Sequence, residues 1–227
     1  MRNFDFYQKY WDKKFDYFVD TEGWDHGRDD VPRGDVIYNF INLLDIQNNN
    51  KILDIGCGHG RLFEIYLKKT KNIFGCDISK KMISFAKQKY SFLDENLSVQ
   101  NIEDLKYDKE SFDRIICYGV FDAILNQKKA LNELARVLKK DALLLLSGKH
   151  KPYEDKDSEA LYAEKKAEEA GHPNVFSSLQ ELYEQFQNKF NIQHELFFQM
   201  RGDMAIGKYT ETPPEKFYEF IFILKKI

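Results

Sequence analysis

The stretch Lys51–Arg61 reads KILDIGCGHGR, an apolar run that passes directly into a Gly-x-Gly-x-Gly loop. Residues Ile52–Ile55 predict a buried strand, and the apolar spacing from Arg61 to Thr70 predicts a helix. Glycines let the backbone turn tightly and approach a ligand without side-chain collision. The N–H groups at the start of such a helix favour a negatively charged group. The stretch therefore predicts a strand–loop–helix unit that holds a ligand.

An acidic residue, Asp77, follows at the end of the next predicted strand. Its carboxylate can accept hydrogen bonds from both ribose hydroxyls of a nucleoside, so the whole unit predicts a site for an adenosine-bearing cofactor at the carboxyl ends of parallel strands. The G-x-G-x-x-G fingerprint of nicotinamide and flavin enzymes would need glycine at position 61. The chain has Arg61 there, which disfavours a dinucleotide-dependent oxidoreductase.

Short apolar runs alternate with amphipathic stretches from Lys51 to Ser147, and this alternation predicts an α/β fold with a parallel, doubly wound sheet. Two further strand-like runs, Ile192–Met200 and Phe217–Lys225, follow one another without a helix between them. Strands joined in this way are typically antiparallel. We therefore expect the sheet to end in a C-terminal antiparallel hairpin.

The composition excludes some classes of protein and disfavours others. The chain has 227 residues, a net charge of −3, 43% hydrophobic and 31% charged residues, which excludes a disordered or fibrous protein. A weakly acidic chain disfavours general binding to nucleic acid. No apolar run approaches the roughly 20 residues that span a bilayer, and the N-terminus lacks a signal-peptide pattern, so we expect no membrane association. The three cysteines form no CxxC pair, so no metal is expected, and a reducing cytoplasm fits best.

Five segments occur in a recognisable order along the chain. They are DIGCGHG at 54–60, DISKKM at 77–82, NIEDL at 101–105, SFDRIIC at 111–117, and LNELARVL at 131–138 with ALLLLS at 142–147. In this order the chain resembles the class I S-adenosylmethionine-dependent methyltransferases, and among them the small-molecule methyltransferase domains of the ubiquinone and menaquinone biosynthesis type.

The resemblance implies a Rossmann-like, doubly wound sheet of seven mostly parallel strands with an antiparallel C-terminal hairpin strand and an N-terminal helical lid. We expect one domain over residues 1–227. Within it, residues 1–50 would form the lid, residues 51–147 the cofactor-binding core, and residues 148–227 the substrate-side helices and C-terminal strands.

The resemblance also assigns S-adenosylmethionine as the cofactor and S-adenosylhomocysteine as its product. It brings Gly56, Gly58 and Gly60 close to the methionine and ribose parts, and Asp77 to the ribose hydroxyls. Ile78 and Met82 would pack on adenine, whose edge Asn101 and the Ile102 backbone would read. Cys117 and Tyr118 would face the sulfonium end. Cys57 and Asp54 complete the loop, where Asp54 either touches the cofactor or orients the loop.

An aromatic stripe marks the N-terminal segment. Its members recur at three- and four-residue steps, which predicts a helix; they are Phe4, Tyr7, Tyr10, Trp11, Phe15 and Phe18. Aromatic rings stabilise a nearby cation without competing as nucleophiles. The rings of Tyr7, Tyr10 and Trp11 therefore form either a lid over the sulfonium or an ordinary part of the core.

The implied reaction is methyl transfer by in-line displacement to oxygen, nitrogen or carbon of a small-molecule partner. The alternatives are methylation of RNA or protein, and a non-catalytic S-adenosylmethionine-binding protein. Residues 117–122 lack the Asn/Asp-Pro-Pro-Tyr/Phe tetrad of enzymes that methylate DNA bases. The candidates for a general base are His150, His26 and Tyr118, although both histidines also fit solvated loop positions. The sequence leaves the acceptor and the oligomeric state open.

Overall fold

A computed structural model describes residues 4–20, 34–150 and 157–227, and its centre is a seven-stranded sheet. The strands are β1 (Ile52–Ile55), β2 (Ile73–Asp77), β3 (Leu97–Val99), β4 (Phe112–Cys117), β5 (Leu138–Lys149), β6 (Phe190–Phe198) and β7 (Glu219–Lys226). Their order across the sheet is β3-β2-β1-β4-β5-β7-β6. β1 therefore lies between β2 and β4, and the strand order reverses beside the glycine loop.

The first five strands are parallel, and β7 runs antiparallel to both of its neighbours, β5 and β6. This confirms the predicted mostly parallel sheet with a reversed C-terminal pair. Lys149 pairs with Glu219, so β7 begins where β5 ends. Residues just before β7 consequently reach the same sheet edge as the carboxyl ends of the parallel strands.

Helices cover both faces of the sheet. They are α1 (Phe4–Asp20), α2 (Gly34–Asn42), α3 (Phe63–Leu67), α4 (Lys80–Lys89), α5 (Gln127–Val137), α6 (Ser158–Glu169) and α7 (Leu179–Phe186). Buried side chains of α2, α3 and α4 belong to one apolar cluster, and those of α5 and α7 to the other. Successive strand residues alternate between the clusters: Ile115 lies in the α5 cluster and Ile116 in the α2 cluster. Both faces are apolar because both are covered.

Side-chain caps fix the starts of α4 and α7. The Ser79 hydroxyl accepts the Met82 N–H at the start of α4. Ser178 and Glu181 form a capping box at the start of α7. Such caps satisfy N–H groups that have no partner within the helix. The capped start of α4 fixes the chain directly after Asp77.

The helix predicted from Arg61 to Thr70 is shorter in the structure, where α3 spans Phe63–Leu67. The Phe63 N–H donates to the Gly60 carbonyl at 3.1 Å and the Ile65 N–H to the Leu62 carbonyl at 3.0 Å. These tighter i to i−3 bonds continue the turns of the glycine loop past Arg61, so the regular helix begins only at Phe63. The prediction that a regular helix begins at Arg61 was wrong, because α3 begins at Phe63.

Candidate functional site

A cavity of about 1000 Å³ lies at the carboxyl ends of the parallel strands. Its walls come from the glycine loop, α1, α6 and the segments that follow β2, β4 and β5. The predicted cofactor residues that line it are Tyr7, Trp11, Gly56, Cys57, Gly58, Asp77, Ile78, Met82, Asn101, Ile102 and Tyr118. Residues from five separate parts of the sequence thus meet around one space.

The structure places three predicted cofactor residues away from the cavity lining. Cys117 is fully buried in the α5 cluster. Because side chains alternate along a strand, its neighbour Tyr118 reaches the cavity instead. Asp54 is buried, and its Oδ2 accepts a hydrogen bond from the Tyr66 hydroxyl at 3.3 Å. A Cβ atom on Gly60 would lie 2.7 Å from the rings of Phe63 and Tyr90, so Gly60 serves packing within the protein.

The three candidates for a general base differ in their position relative to the cavity. The His150 ring stacks on Phe217 with centroids 4.2 Å apart, and its Nδ1 lies 2.7 Å from the Ser177 carbonyl oxygen. These contacts hold His150 outside the cavity lining, which contradicts its predicted place at the crevice. His26 lies outside the described residues. Tyr118 lines the cavity, and its hydroxyl lies 3.2 Å from the Met204 sulfur.

Asp77 joins the glycine loop to the start of α4. Its Oδ2 accepts the Gly58 N–H at 2.9 Å, and its Oδ1 accepts the Ser79 N–H at 2.8 Å. Burial raises the pKa of Asp77, and those backbone N–H groups act against that rise. A carboxylate offers about four lone-pair sites, and the N–H groups of Gly58, Ser79 and Ile78 leave part of them open. The ribose hydroxyls of a nucleoside would fit these remaining positions.

Gly58 leaves open space beside Asp77. Its φ is +53°, and a Cβ atom there would come no closer than 3.9 Å to a neighbour, the Met82 sulfur. The bare backbone therefore forms a cradle that a ligand can approach. Together with the free lone pairs of Asp77, this cradle fits the nucleoside part of S-adenosylmethionine.

Asn101 lies in the cavity wall, but its carbonyl oxygen already has a partner. Asn101 Oδ1 accepts the Glu103 N–H at 3.0 Å, which closes a local turn. The resemblance implied that Asn101 reads the adenine edge. In the structure the oxygen shapes the loop, and one lone pair and the Nδ2 donor remain for a ligand.

Hydrogen bonds fasten α1 to the loop that follows β2. The Gln8 side chain donates to the Ile78 carbonyl at 2.9 Å. Asp12 Oδ1 accepts the Ser79 hydroxyl at 2.6 Å and the Lys81 N–H at 3.1 Å. These contacts hold the aromatic side of α1 in the cavity wall, with Tyr7 buried and Trp11 half-buried. The lid function of α1 stays a prediction.

A buried charged cluster, which the sequence analysis missed, lines another part of the same cavity. Lys149 Nζ lies 3.1 Å from Asp122 Oδ2 and 2.9 Å from Glu164 Oε1, and the Tyr218 hydroxyl also hydrogen-bonds Glu164. Burial alone would raise the pKa of Asp122, but the Lys149 ammonium holds it below its usual value. Burial likewise opposes the charge of Lys149, but Asp122, Tyr218 and Glu164 hold its pKa well above the usual value. Asp122 and Lys149 are therefore both charged at neutral pH.

These four residues come from four separate elements. Asp122 lies in the turn after β4, Lys149 ends β5, Glu164 lies in α6, and Tyr218 precedes β7. The sequence gives only the spacing: Glu164 follows Ala160 by one helical turn, so the two share a face of α6, and the structure buries both. A carboxylate on a buried helical face requires a partner. The identity of that partner could not be read from the sequence, because it depends on how α6 docks.

A histidine, His172, also lines the cavity beside this cluster. Its ring makes edge contacts with Tyr10 and Trp11, with centroids 6.3 and 5.8 Å away. Its Nδ1 is hydrogen-bonded to the Asn174 side chain. His172 could not be identified from the sequence. It follows α6, and it reaches the cavity because the segment after α6 folds onto α1.

The buried carboxyl of Asp54 makes the stability of the fold depend on pH. Burial raises the pKa of Asp54 to about 7, whereas in the unfolded chain it ionises near pH 4. The folded state therefore retains a proton that the unfolded chain has released, and the resulting stabilisation is lost as the pH rises through about 7. Asp54→Asn removes this titration. We expect its stability relative to the wild type to increase by about 2–3 kcal/mol between pH 5 and pH 8.

Urea unfolding of both proteins at the two pH values measures this change. A difference that stays constant from pH 5 to pH 8 would mean that Asp54 is ionised in the folded state throughout.

The cradle at Gly58 can be tested with a strain-matched control. Gly207 also has positive φ, +68°, lies outside the cavity lining, and its Cβ atom would contact Val36 at 3.4 Å. Alanine at either position incurs the left-handed backbone cost of about 1–2 kcal/mol. Only Gly58→Ala is expected to weaken S-adenosylhomocysteine binding, by about tenfold or more. Calorimetry with both variants measures this, and equal affinities would place the cofactor away from Gly58.

Comparison with known proteins agrees with this geometry. Residues 53–146 match a family model described as a methyltransferase domain. The ubiquinone/menaquinone biosynthesis C-methyltransferase of Campylobacter jejuni is 35% identical over 111 residues, which are 45% of this chain and 46% of that protein. An uncharacterised protein of Methanocaldococcus jannaschii is 37% identical over 105 residues, which are 45% of this chain and 38% of that protein. The chain thus spans less than half the length of these curated relatives.

Solved structures share the fold over a longer range. An S-adenosylmethionine-dependent methyltransferase from Thermotoga maritima superposes with a TM-score of 0.63 at 16% identity, over 100% of both chains. The geranyl diphosphate C-methyltransferase of Streptomyces coelicolor, whose structure contains S-adenosylhomocysteine, superposes with a TM-score of 0.65 at 13% identity, over 85% of this chain and 77% of that one. Among the described residues, every helix is too short or too polar to cross a bilayer.

Proposed function

From the membership of residues 53–146 in the class I S-adenosylmethionine-dependent methyltransferase family, we propose that the protein methylates a small-molecule acceptor. The observation that carries this proposal is the single cavity of about 1000 Å³ that joins the glycine loop and Asp77 to the cluster around Lys149. Pockets for small molecules usually measure about 300–1000 Å³. A cofactor and one small acceptor account for a space of this size.

The cofactor residues have separate tasks in this proposal. Asp77 would accept the ribose hydroxyls through the lone pairs that Gly58 and Ser79 leave free. The bare backbone of Gly58 would allow the ribose and methionine parts to approach. Ile78 and Met82 would pack on adenine. S-adenosylmethionine, when bound, supplies a methyl group on a positively charged sulfur.

The chain contributes mainly by positioning. Holding an acceptor in line with the methyl group supplies roughly 7–11 kcal/mol of barrier reduction when the alignment is good. Tyr7 and Trp11 of α1 line the cavity, and each ring can stabilise a nearby cation by about 0.5–2 kcal/mol. The anchoring of α1 through Gln8 and Asp12 would hold these rings in place.

Further parts of the proposal concern the chain as a whole. We propose one domain in which residues 1–50 act as a lid, residues 51–147 hold the cofactor and residues 148–227 form the acceptor side. The cysteines Cys57, Cys76 and Cys117 are free and buried. Free thiols suit a reducing compartment, so the cytoplasm is the proposed location.

Two measurements test the function. Calorimetry with S-adenosylhomocysteine is expected to give saturable binding, and its absence would refute the cofactor assignment. Incubation with methyl-labelled S-adenosylmethionine and a cell extract, followed by separation by size, is expected to place label in the small-molecule fraction. Label in protein or RNA would support the macromolecular alternative, and binding without any transfer would support a non-catalytic protein.

A further inference from the structure

We propose that His172 is the general base of the proposed methyl transfer, and that the acceptor is a small aromatic compound that reacts through a hydroxyl or an amine group. This inference rests on the proposed function and adds a catalytic residue and a substrate class to it. It follows from the position of His172 in the cavity wall, the orientation of its ring and the charges around it.

The position of His172 is fixed from two sides. Its backbone N–H donates to the Ala167 carbonyl at the end of α6 at 2.9 Å. Its ring is held between the cavity and the edges of the Tyr10 and Trp11 rings. Aromatic walls favour a flat ring as their ligand, because such rings pack edge-to-face or in offset stacks. An aromatic acceptor bound there would lie against His172.

Asn174 selects which ring nitrogen carries the proton. The Asn174 Nδ2 group donates to the Glu164 carbonyl at 2.7 Å, so its Oδ1 is the atom that faces His172 Nδ1. That oxygen can only accept, so the proposal places the ring proton on Nδ1, where it would bond Asn174 Oδ1. The Asn174 backbone N–H donates to the same Nδ1 at 3.1 Å, and this bond favours the opposite tautomer, so the tautomer is the point that the experiment below must test. A proton on Nδ1 leaves the lone pair on Nε2.

Nε2 is free to act on a ligand. Among the described residues Nε2 has no hydrogen-bond partner. It is also absent from the group of buried side-chain atoms without a partner, so Nε2 is not buried. Because His172 lines the cavity, the lone pair on Nε2 is accessible from that space. Asn174 itself has a left-handed backbone, with φ of +47°. Strain of this kind is often retained where it positions a functional group.

The charges around His172 suit a base. Burial lowers the pKa of His172, and the Lys149 ammonium of β5 lowers it further. Asp122 after β4, Asn174 and Glu164 of α6 act in the opposite direction. The imidazole is therefore neutral near pH 7 and can take a proton. The two carboxylates would then stabilise the imidazolium that forms, which is the role of an acid partner beside a catalytic histidine.

The step balances as follows. The acceptor oxygen or nitrogen forms a bond to the methyl carbon, and the bond between that carbon and sulfur breaks with its electron pair staying on sulfur. The acceptor's O–H or N–H proton moves to His172 Nε2. The products are the methylated acceptor and S-adenosylhomocysteine, and His172 then releases its proton to solvent.

Nuclear magnetic resonance of the histidine ring nitrogens tests the orientation without a substrate. The full chain is labelled with ¹⁵N and saturated with S-adenosylhomocysteine, and the His172 signals are assigned from His172→Gln. We expect a proton on Nδ1 and a titration below the usual histidine range, with a mixture of tautomers in Asn174→Ala. A proton on Nε2, or a His172 that is charged at pH 7, would overturn the proposal.

Methyl transfer to a defined panel tests the acceptor class. The panel contains a catechol, a phenylethylamine, a cyclic 1,3-diketone and an aryl thiol, each with labelled S-adenosylmethionine. We expect methylation on oxygen or nitrogen, and His172→Gln is expected to lower kcat by about 100-fold or more without changing S-adenosylhomocysteine affinity. The matched control, His150→Gln, lies outside the cavity lining and is expected to keep its activity.

Several outcomes would reject the inference while leaving the proposed function intact. These are transfer to carbon or sulfur alone, a His172→Gln rate within threefold of the wild type, and no transfer to the hydroxyl or amine compounds by a protein that binds S-adenosylhomocysteine. A wild-type chain that fails to bind S-adenosylhomocysteine would instead refute the proposed function itself.

Discussion

Lys149→Met is expected to destabilise the fold by about 3–5 kcal/mol, because it removes the cation that both Asp122 and Glu164 contact. The carboxyl side chains of both partners are 8% exposed. Only a small part of each carboxyl side chain can therefore contact water in place of the lost ammonium. Chemical unfolding at pH 7 measures the loss. The variant should recover stability at lower pH, because burial without the Lys149 ammonium raises the pKa of Asp122 and favours its protonation.

A surface pair on the same sheet provides the control. Lys225 of β7 lies 3.0 Å from Asp141, and the two side chains are 39% and 66% exposed. Exposed pairs contribute about 0–1 kcal/mol, so Lys225→Met should change stability by no more than this. A second arm, Lys149→Met combined with Glu164→Gln, should be more stable than Lys149→Met alone. Equal losses at Lys149 and Lys225 would show that the cluster around Lys149 is well solvated.

Asp77→Ala is expected to weaken S-adenosylhomocysteine binding by about 1.5–3 kcal/mol, or roughly ten- to hundredfold. The carboxylate would bind the ribose directly, and it also holds the Gly58 and Ser79 N–H groups that shape the site. Calorimetry measures the affinity. The exposed Asp108 provides the matched control, since Asp108→Ala removes the same charge away from the cavity.

The two roles of Asp77 can be separated by a conservative variant. Asp77→Asn keeps one oxygen acceptor for a backbone N–H but loses the charge and the second acceptor. An affinity close to that of Asp77→Ala would show that binding needs the charge and both acceptor oxygens, and that one oxygen alone is insufficient. An affinity close to the wild type in both variants would mean that the ribose lies elsewhere.

The sheet and the cofactor end of the cavity were predictable because their signals are local. Residues 51–61 combine a buried strand with three glycines, and Asp77 follows at the next strand end. Parallel strands bring their carboxyl ends to one edge, so the meeting of Gly58, Asp77 and Tyr118 follows from the strand order. The length of α3 was less predictable, since the turns that follow Gly60 compete with the helix.

The charged part of the cavity, around Lys149 and His172, could be recognised only in the tertiary structure. The sequence suggested His150, but stacking on Phe217 holds that ring away from the cavity. The ion pair between α6 and β5 brings in Glu164, and the contact of the segment after α6 with α1 brings in His172. By itself, the sequence determined the fold class and the meeting of the glycine loop with Asp77, because glycine spacing and strand ends are properties of short segments. Only the tertiary structure decided which ionisable groups share the cavity, because contacts between Asp122, Lys149, Glu164 and His172 depend on how distant elements dock.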